Sequence, residues 1–144
     1  MRAVVTGGAG FAGSHLIEAL LARGDEVACV ERPGAGRGWL GGAPVVWHPV
    51  GLHDEWRLRA ILTGADVVFH LAALTEGRAA SDCYRVNTEG TDCLLRAAAA
   101  AGSPPLVVFM SSLAAAGPGR DRAPLDARTV PCPLSHYGQS KLMT

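Results

Sequence analysis

Lysine is almost missing from this sequence of 144 residues. Arginine supplies all but one of the 13 basic residues, and the exception is Lys141. The 13 acidic residues balance the basic ones, so the formal net charge is zero. A chain without net charge has no field that would draw it to a phosphate backbone or to anionic lipid, so we exclude nucleic acids and membrane surfaces as partners.

Long apolar runs are also absent. The best one, 106–110, falls far short of the roughly 18 residues that a membrane span needs. The N-terminus reaches its first glycines directly after Thr6, which leaves no room for the apolar stretch of a signal peptide. We therefore expect a cytoplasmic protein.

Metal-ligand spacing is the third absence. Neither the cysteines nor the histidines are spaced as metal knuckles or redox pairs are. The residues concerned are Cys29, Cys83, Cys93, Cys132, His15, His48, His53, His70 and His136. The sequence predicts free, mostly buried thiols, structural histidines and no metal.

Apolar runs of strand length alternate with stretches of helical period, and the chain length suits one domain. The predicted strands lie near 2–6, 26–31, 44–47, 66–72 and 105–111, and the predicted helices lie between the first two strands and near 54–63, 82–101 and 135–144. We interpret 32–43 and 113–134, which are rich in glycine, proline and arginine, as loops. The alternation predicts an α/β fold with a doubly wound parallel sheet of the Rossmann type.

A glycine-rich loop joins the first predicted strand to the first helix. It has the pattern Gly8-x-Gly10-x-x-Gly13, preceded by Gly7. Glycine lets the backbone turn tightly and come close to a pyrophosphate, while the amides at the start of the helix face the anion. In this context, strand before and helix after, the motif predicts a dinucleotide site.

An acidic residue, Glu31, ends the second predicted strand. A carboxylate at this place can accept hydrogen bonds from the adenosine ribose and would repel the extra phosphate of NADP. Arg32, which follows it, could receive that phosphate. We therefore favour NAD and keep NADP as the alternative.

Tyr137 and Lys141 lie four residues apart and would share one face of the last predicted helix. The pKa of a free tyrosine, near 10, is too high for a base at neutral pH, and a nearby ammonium favours the phenolate. Ser111 and Ser112 end the fifth predicted strand, where ligands bind in open parallel sheets. The pattern predicts that Tyr137 exchanges a proton with a hydroxyl or carbonyl while hydride passes to or from a nicotinamide.

These residues resemble the extended short-chain dehydrogenase/reductase family, the NAD-dependent epimerase/dehydratases similar to UDP-glucose 4-epimerase. The likeness rests on VVTGGAGFAGSH, DVVFHLAA at 66–73, VNTEGT at 86–91, FMSS at 109–112 and YGQSKLM at 137–143. It implies hydride transfer on a small-molecule substrate, with a nucleotide sugar as one class, and a homodimer as a candidate assembly.

The resemblance also implies a role for each matching residue. Those implied to be catalytic are Ser112, Tyr137 and Lys141. Those that we expect to bind the cofactor are Gly7, Gly10, Phe11, Ala12, Gly13, Glu31, Arg32, Leu52, Leu71, Ala72, Ala73, Asn87, Tyr137 and Lys141.

Some positions depart from the family pattern. Gly51 stands where the family usually has an acid beside the adenine, and Ala116 stands where sugar-nucleotide epimerases commonly have tyrosine. The family also continues well beyond the tyrosine and lysine, so we expect 1–144 to be the cofactor half of a larger enzyme, with the sheet truncated after the helix of Tyr137 begins. A dinucleotide-binding module without catalysis stays open as the alternative.

Overall fold

The computed structural model describes residues 1–119 and 124–144. These residues form two compact units. The first unit comprises Met1–Ala72 and Cys93–Met110, and the second comprises Ala73–Asp92 and Ser111–Thr144. Among the described residues, no helix has both the length and the apolar character needed to cross a bilayer.

A parallel sheet of five strands forms the centre of the first unit. The strands are β1 (Arg2–Thr6), β2 (Glu26–Glu31), β3 (Val45–Pro49), β4 (Val67–His70) and β5 (Leu106–Phe109). Their order across the sheet is β3-β2-β1-β4-β5, and every neighbouring pair is parallel. The order reverses direction beside β1, as in the Rossmann fold, so the predicted fold class is confirmed.

The three central strands, β1, β2 and β4, are buried on both faces and consist mostly of small and β-branched residues, as is typical of a covered parallel sheet. On one face, Val5 lies in a cluster with Ile17 of helix α1 (Phe11–Ala22). On the other face, Val4 lies in a cluster with Leu58 of helix α2 (Glu55–Leu62) and with Leu94 of helix α4 (Gly90–Ala99). Helices therefore cover both sides and hold the strand ends in place.

The strand boundaries differ from the prediction at β5, which was expected over 105–111 and ends at Phe109, before Ser111 and Ser112, and they differ at β4. Residues 66–72 were expected to be extended, but the strand ends at His70. The Leu71 amide still donates to the carbonyl of Thr6, at 3.2 Å, whereas the Ala72 amide donates to the Thr6 side chain, at 3.1 Å. The ladder stops there because a side chain has replaced the next backbone acceptor. Leu71 and Ala72 therefore follow the strand, and the expectation that they lie within it is wrong.

The second unit is helical. It contains α3 (Ala80–Cys83), a π-helical stretch (Tyr84–Glu89), the beginning of α4, a short helix α5 (Leu113–Ala116) and α6 (His136–Leu142). Helix near 82–101 and helix near 135–144 were both predicted and are confirmed, although the π-helical stretch was not foreseen.

Helix α5 lies inside the segment 113–134 that was predicted to be a loop, so that part of the prediction is wrong. The physical reason is local. The Ser112 side chain caps the helix by accepting from the Ala114 amide, at 3.1 Å, and the alanines that follow favour helix. Gly117, with φ +78°, ends the turn. Likewise, a 3₁₀ turn at Gly38–Leu40 interrupts the predicted loop 32–43.

All four cysteines are free thiols, and three of them, Cys29, Cys83 and Cys93, are buried. Burial raises the pKa of the Cys29 thiol to about 12, so this group stays protonated and inert at neutral pH. The prediction of free, mostly buried thiols is confirmed.

Candidate functional site

The glycine loop turns between β1 and α1, and at Gly7 and Gly13 neighbouring backbone atoms leave no space for a side chain. Gly7 has φ +72°, and a Cβ on it would lie 2.7 Å from the amide nitrogen of Ala72. A Cβ on Gly13 would lie 2.2 Å from the carbonyl oxygen of Gly7. The loop is therefore folded tightly on itself and against the end of β4, which is the reason why the sequence needs glycine there.

The start of α1 is open to solvent. Gly10 precedes the helix and has no side chain that could cap it. Phe11, at 80% exposure, and Ala12 form the exposed first turn. The first amides of a helix have no partner within it, and together with the helix dipole they favour an anion. The first turn of α1 can therefore hold a pyrophosphate.

Glu31 is tied to the glycine loop. Its Oε1 accepts a hydrogen bond from the Ala9 amide, at 2.8 Å, and the Gly7 amide donates to the carbonyl of Val30, at 3.2 Å. Two hydrogen bonds therefore join the glycine loop to the end of β2. A carboxylate has two oxygens, so the bond to Ala9 leaves acceptor capacity for ribose hydroxyls. Arg32 follows with an exposed side chain.

A buried hydroxyl, that of Thr6, lies where β1 and β4 end beside the glycine loop. Thr6 Oγ1 lies 2.6 Å from Nδ1 of His70 and accepts from the Ala72 amide, at 3.1 Å. Both Thr6 and His70 are fully buried. The expected structural role of His70 is thus confirmed, whereas Thr6 was not anticipated as part of the site.

Three other residues that were expected to bind the cofactor have varied surroundings. Leu71 is half-buried and packs against the cluster beneath α1. Leu52 is half-buried in the turn between β3 and α2. Ala73, the first residue of the second unit, is exposed.

In the second unit, α6 carries the tyrosine and the lysine. Ser135 caps this helix by accepting from the Gly138 amide, at 3.0 Å. Tyr137 is half-buried, and Lys141, one turn later, is only 4% exposed. Burial lowers the pKa of the Lys141 ammonium because the charged form loses hydration.

Helix α6 packs closely on α5 through a glycine. A Cβ on Gly138 would lie 2.2 Å from the carbonyl oxygen of Ala114, so a larger residue would separate the two helices. Ser112 is the residue that caps α5. The second unit thus joins the helix that begins at Ser112 to the helix that carries Tyr137 and Lys141.

Asn87, expected beside the cofactor, lies in the π-helical stretch and is 1% exposed. Its Oδ1 accepts from the Leu74 amide, at 2.7 Å, and its Nδ2 donates to the Leu74 carbonyl, at 3.0 Å, and to Ser140 Oγ, at 2.9 Å. The carboxamide therefore connects the segment after β4 to α6.

Sequence reasoning missed three residues of this arrangement, namely Thr6, Gly138 and Ser140. Gly138 and Ser140 lie between Tyr137 and Lys141, and two small residues there are a signal of close helix packing. Thr6 gave no such signal, because a threonine at the end of a buried strand is ordinary.

The chain is similar to known proteins along nearly its whole length. A family model described as NAD dependent epimerase/dehydratase family matches residues 3–144. UDP-glucose 4-epimerase of Azospirillum brasilense is 35% identical over 154 aligned positions, which cover 99% of this chain and 42% of that protein. D-erythronate dehydrogenase of Cupriavidus necator is 34% identical, with 98% of this chain and 47% of that protein covered.

Among solved structures, UDP-glucose-4-epimerase of Stenotrophomonas maltophila, with bound NAD and formylated UDP-arabinopyranose, superimposes with a TM-score of 0.86 at 30% identity. The match covers 99% of this chain and 46% of that one. The chain thus spans about half the length, or less, of the proteins that it matches.

Proposed function

The chain belongs to the NAD dependent epimerase/dehydratase family, and on that premise we propose that it binds NAD and serves an oxidoreductase, epimerase or dehydratase that works by hydride transfer. In this proposal residues 1–144 are the dinucleotide-binding part of the enzyme. The observation that carries it is helix α6, in which Tyr137 and a buried Lys141 are one turn apart on a helix packed against the one that Ser112 caps.

The first unit fits a dinucleotide. Gly7 and Gly13 let the loop fold tightly, the exposed Gly10 leaves bare backbone before the helix, and the first turn of α1 offers amides to a pyrophosphate. Glu31 would accept from the ribose hydroxyls, which favours NAD over NADP. The NAD bound to the related Stenotrophomonas epimerase supports this assignment.

When bound, NAD supplies a nicotinamide carbon that accepts hydride from an alcohol carbon or returns it to a carbonyl carbon. Tyr137 is proposed to take the proton from the substrate hydroxyl, and Ser112 to hold the same oxygen by a hydrogen bond. Lys141 is proposed to favour the phenolate of Tyr137 by its charge and to donate to the nicotinamide ribose.

The alcohol substrate is proposed to be a small molecule, with nucleotide sugars as the first class to test. Epimerases of UDP-glucose in two bacteria support that class. The D-erythronate dehydrogenase adds a second class, the sugar acids, on the same family framework.

The test is a substrate panel that includes UDP-glucose and D-erythronate, assayed for NADH formation and for epimerised product, on wild type, Tyr137→Phe and Tyr84→Phe. Tyr84 is the other tyrosine and gives a matched loss of one phenol hydroxyl, which makes an exposed contact, 3.1 Å from Nδ1 of His136. A general base contributes about 10²–10⁴-fold, so we expect Tyr137→Phe to lose at least about 100-fold in kcat while Tyr84→Phe stays within about threefold of wild type. Equal turnover by wild type and Tyr137→Phe would refute the assigned base.

A further inference from the structure

Ser140 lies between Tyr137 and Lys141 in the sequence, and its side chain is completely buried. Its Oγ donates to the carbonyl of Tyr137, at 2.7 Å, and accepts from Nδ2 of Asn87, at 2.9 Å. The hydroxyl therefore holds the turn that contains Tyr137 and, at the same time, connects that turn to the π-helical stretch that contains Asn87.

The backbone of Ser140 is held as well. Its carbonyl accepts from Oγ1 of Thr88, at 3.1 Å, and from Oγ1 of Thr144, at 2.8 Å. Thr88 is the neighbour of Asn87 in the π-helical stretch. Two successive residues of that stretch thus bind one residue of α6, which fixes the rotation of α6 about its own axis.

The carboxamide of Asn87 is fully engaged by its two partners. One Nδ2 hydrogen is directed to Leu74 and the other to Ser140, while Oδ1 receives the Leu74 amide. A π-helical stretch inside an α-helix is uncommon and often marks a functional position. Here it presents Asn87 and Thr88 together to α6.

We propose that Ser140, held by Asn87, is a positioning residue that sets the orientation of α6 and thereby places the side chains of Tyr137 and Lys141. This inference rests on the proposed function. It assigns to Asn87 an action through Leu74 and Ser140 in place of a direct contact with the cofactor. Long side chains amplify a small rotation of their helix, so a loose α6 would displace both reactive groups even where the fold survives.

The composition offers a sharp test. Lys141 is the only lysine, so a chain labelled with ¹³C at lysine Cε gives one side-chain NMR signal whose pH titration reports on α6 alone. We expect Ser140→Ala to move the pKa of Lys141 upward, towards its ordinary value, because a loosened helix admits water to the ammonium. We also expect NADH affinity to fall about tenfold, measured by calorimetry.

Ser103→Ala is the matched control, because Ser103 is an exposed serine outside the second unit. It should leave both readouts unchanged. Thr88→Val removes one hydroxyl that donates to Ser140 and is the gentler variant if Ser140→Ala fails to fold. It should shift the titration in the same direction by less.

Unchanged titration and NADH affinity in a folded Ser140→Ala or Thr88→Val chain, with only a lower Tm, would overturn the inference and leave Ser140 a plain structural residue. If the wild-type chain binds no NADH, the proposed function fails, while the Lys141 signal still decides whether Ser140 positions α6.

Discussion

Glu31 Oε1 lies 2.8 Å from the amide nitrogen of Ala9, so the acid at the end of β2 braces the glycine loop. The same carboxylate is the proposed partner of the adenosine ribose. The Glu31 side chain would thus both hold the conformation of the loop and favour NAD over NADP.

Glu31→Gln keeps an oxygen that can accept from Ala9 but removes the charge. We expect it to weaken NADH binding by about 1.5–3 kcal/mol, the usual size of a hydrogen bond to a charged group, and to weaken NADPH binding less, because the repulsion of the extra phosphate is lost. Calorimetric titration with both nucleotides measures the ratio of the NADH and NADPH affinities. Glu26→Gln, an exposed acid on the same strand, is the control, and an unchanged NADH to NADPH ratio in Glu31→Gln would contradict the assigned role.

Gly13→Ala tests the packing of the loop. The added methyl would meet the carbonyl oxygen of Gly7 at 2.2 Å and the Cα of Gly8 at 2.7 Å, both backbone atoms that cannot move away cheaply. We expect a loss of about 1–3 kcal/mol in the free energy of unfolding, measured with urea, and loss of NADH binding. Gly102→Ala, whose Cβ would have nothing within 4 Å, should change stability by less than about 0.5 kcal/mol. Equal stabilities for the two variants would show that the loop is looser than described.

Thr6→Val keeps the shape of the side chain and removes the hydroxyl that binds His70 and the Ala72 amide. Loss of a buried partner costs about 1–3 kcal/mol, so urea unfolding should show a decrease of that size. Thr63→Val removes an exposed hydroxyl at the end of α2 and should change little. A Thr6→Val chain as stable as Thr63→Val would exclude the proposed buried network.

Because of Lys141, we expect the free energy of unfolding to change with pH in the alkaline range. Burial lowers its pKa in the folded chain, whereas in the unfolded chain the pKa is near 10.4. Between the folded and the unfolded value the unfolded state binds more protons, so the free energy of unfolding rises with pH in that window. Below the folded pKa both states are protonated, so the contribution of Lys141 to the free energy of unfolding no longer changes with pH.

Urea unfolding of wild type and Lys141→Met, from about pH 7 to about pH 11, checks this expectation across the ordinary pKa of lysine. The stability of Lys141→Met relative to wild type should fall as the pH rises from the folded to the unfolded pKa of Lys141. A difference that does not change with pH would mean that Lys141 titrates as an exposed lysine does.

The sequence contained most of the fold because its local signals agreed with one another. Alternating apolar runs and helical periods predicted the parallel sheet that the structure has. The errors arose where a side chain competes with the backbone. Thr6 ends β4 early by accepting the Ala72 amide, and Ser112 starts α5 by capping it. The first bond joins residues far apart in sequence, and the second depends on the side-chain conformation of one serine. Neither can be read from the pattern of apolar and polar residues.

The sequence points to residues of the proposed site where chemistry dictates residue type, and gives no sign of them where packing does. The glycines, Glu31, Tyr137 and Lys141 stand out because a dinucleotide and a proton transfer need them. Ser140 did not stand out, because its role depends on a π-helical stretch far away in sequence. Cytoplasmic location and a homodimer stay predictions.

Calorimetric titration of the wild-type chain with NADH and NADPH decides whether the chain binds NAD through the loop between β1 and α1. We predict binding at one site, with NADH about tenfold tighter than NADPH, a difference of about 1.4 kcal/mol. We also predict that Gly13→Ala abolishes this binding and that Gly102→Ala preserves it. No binding of either nucleotide, or the same affinity in Gly13→Ala as in wild type, would contradict binding of NAD through this loop.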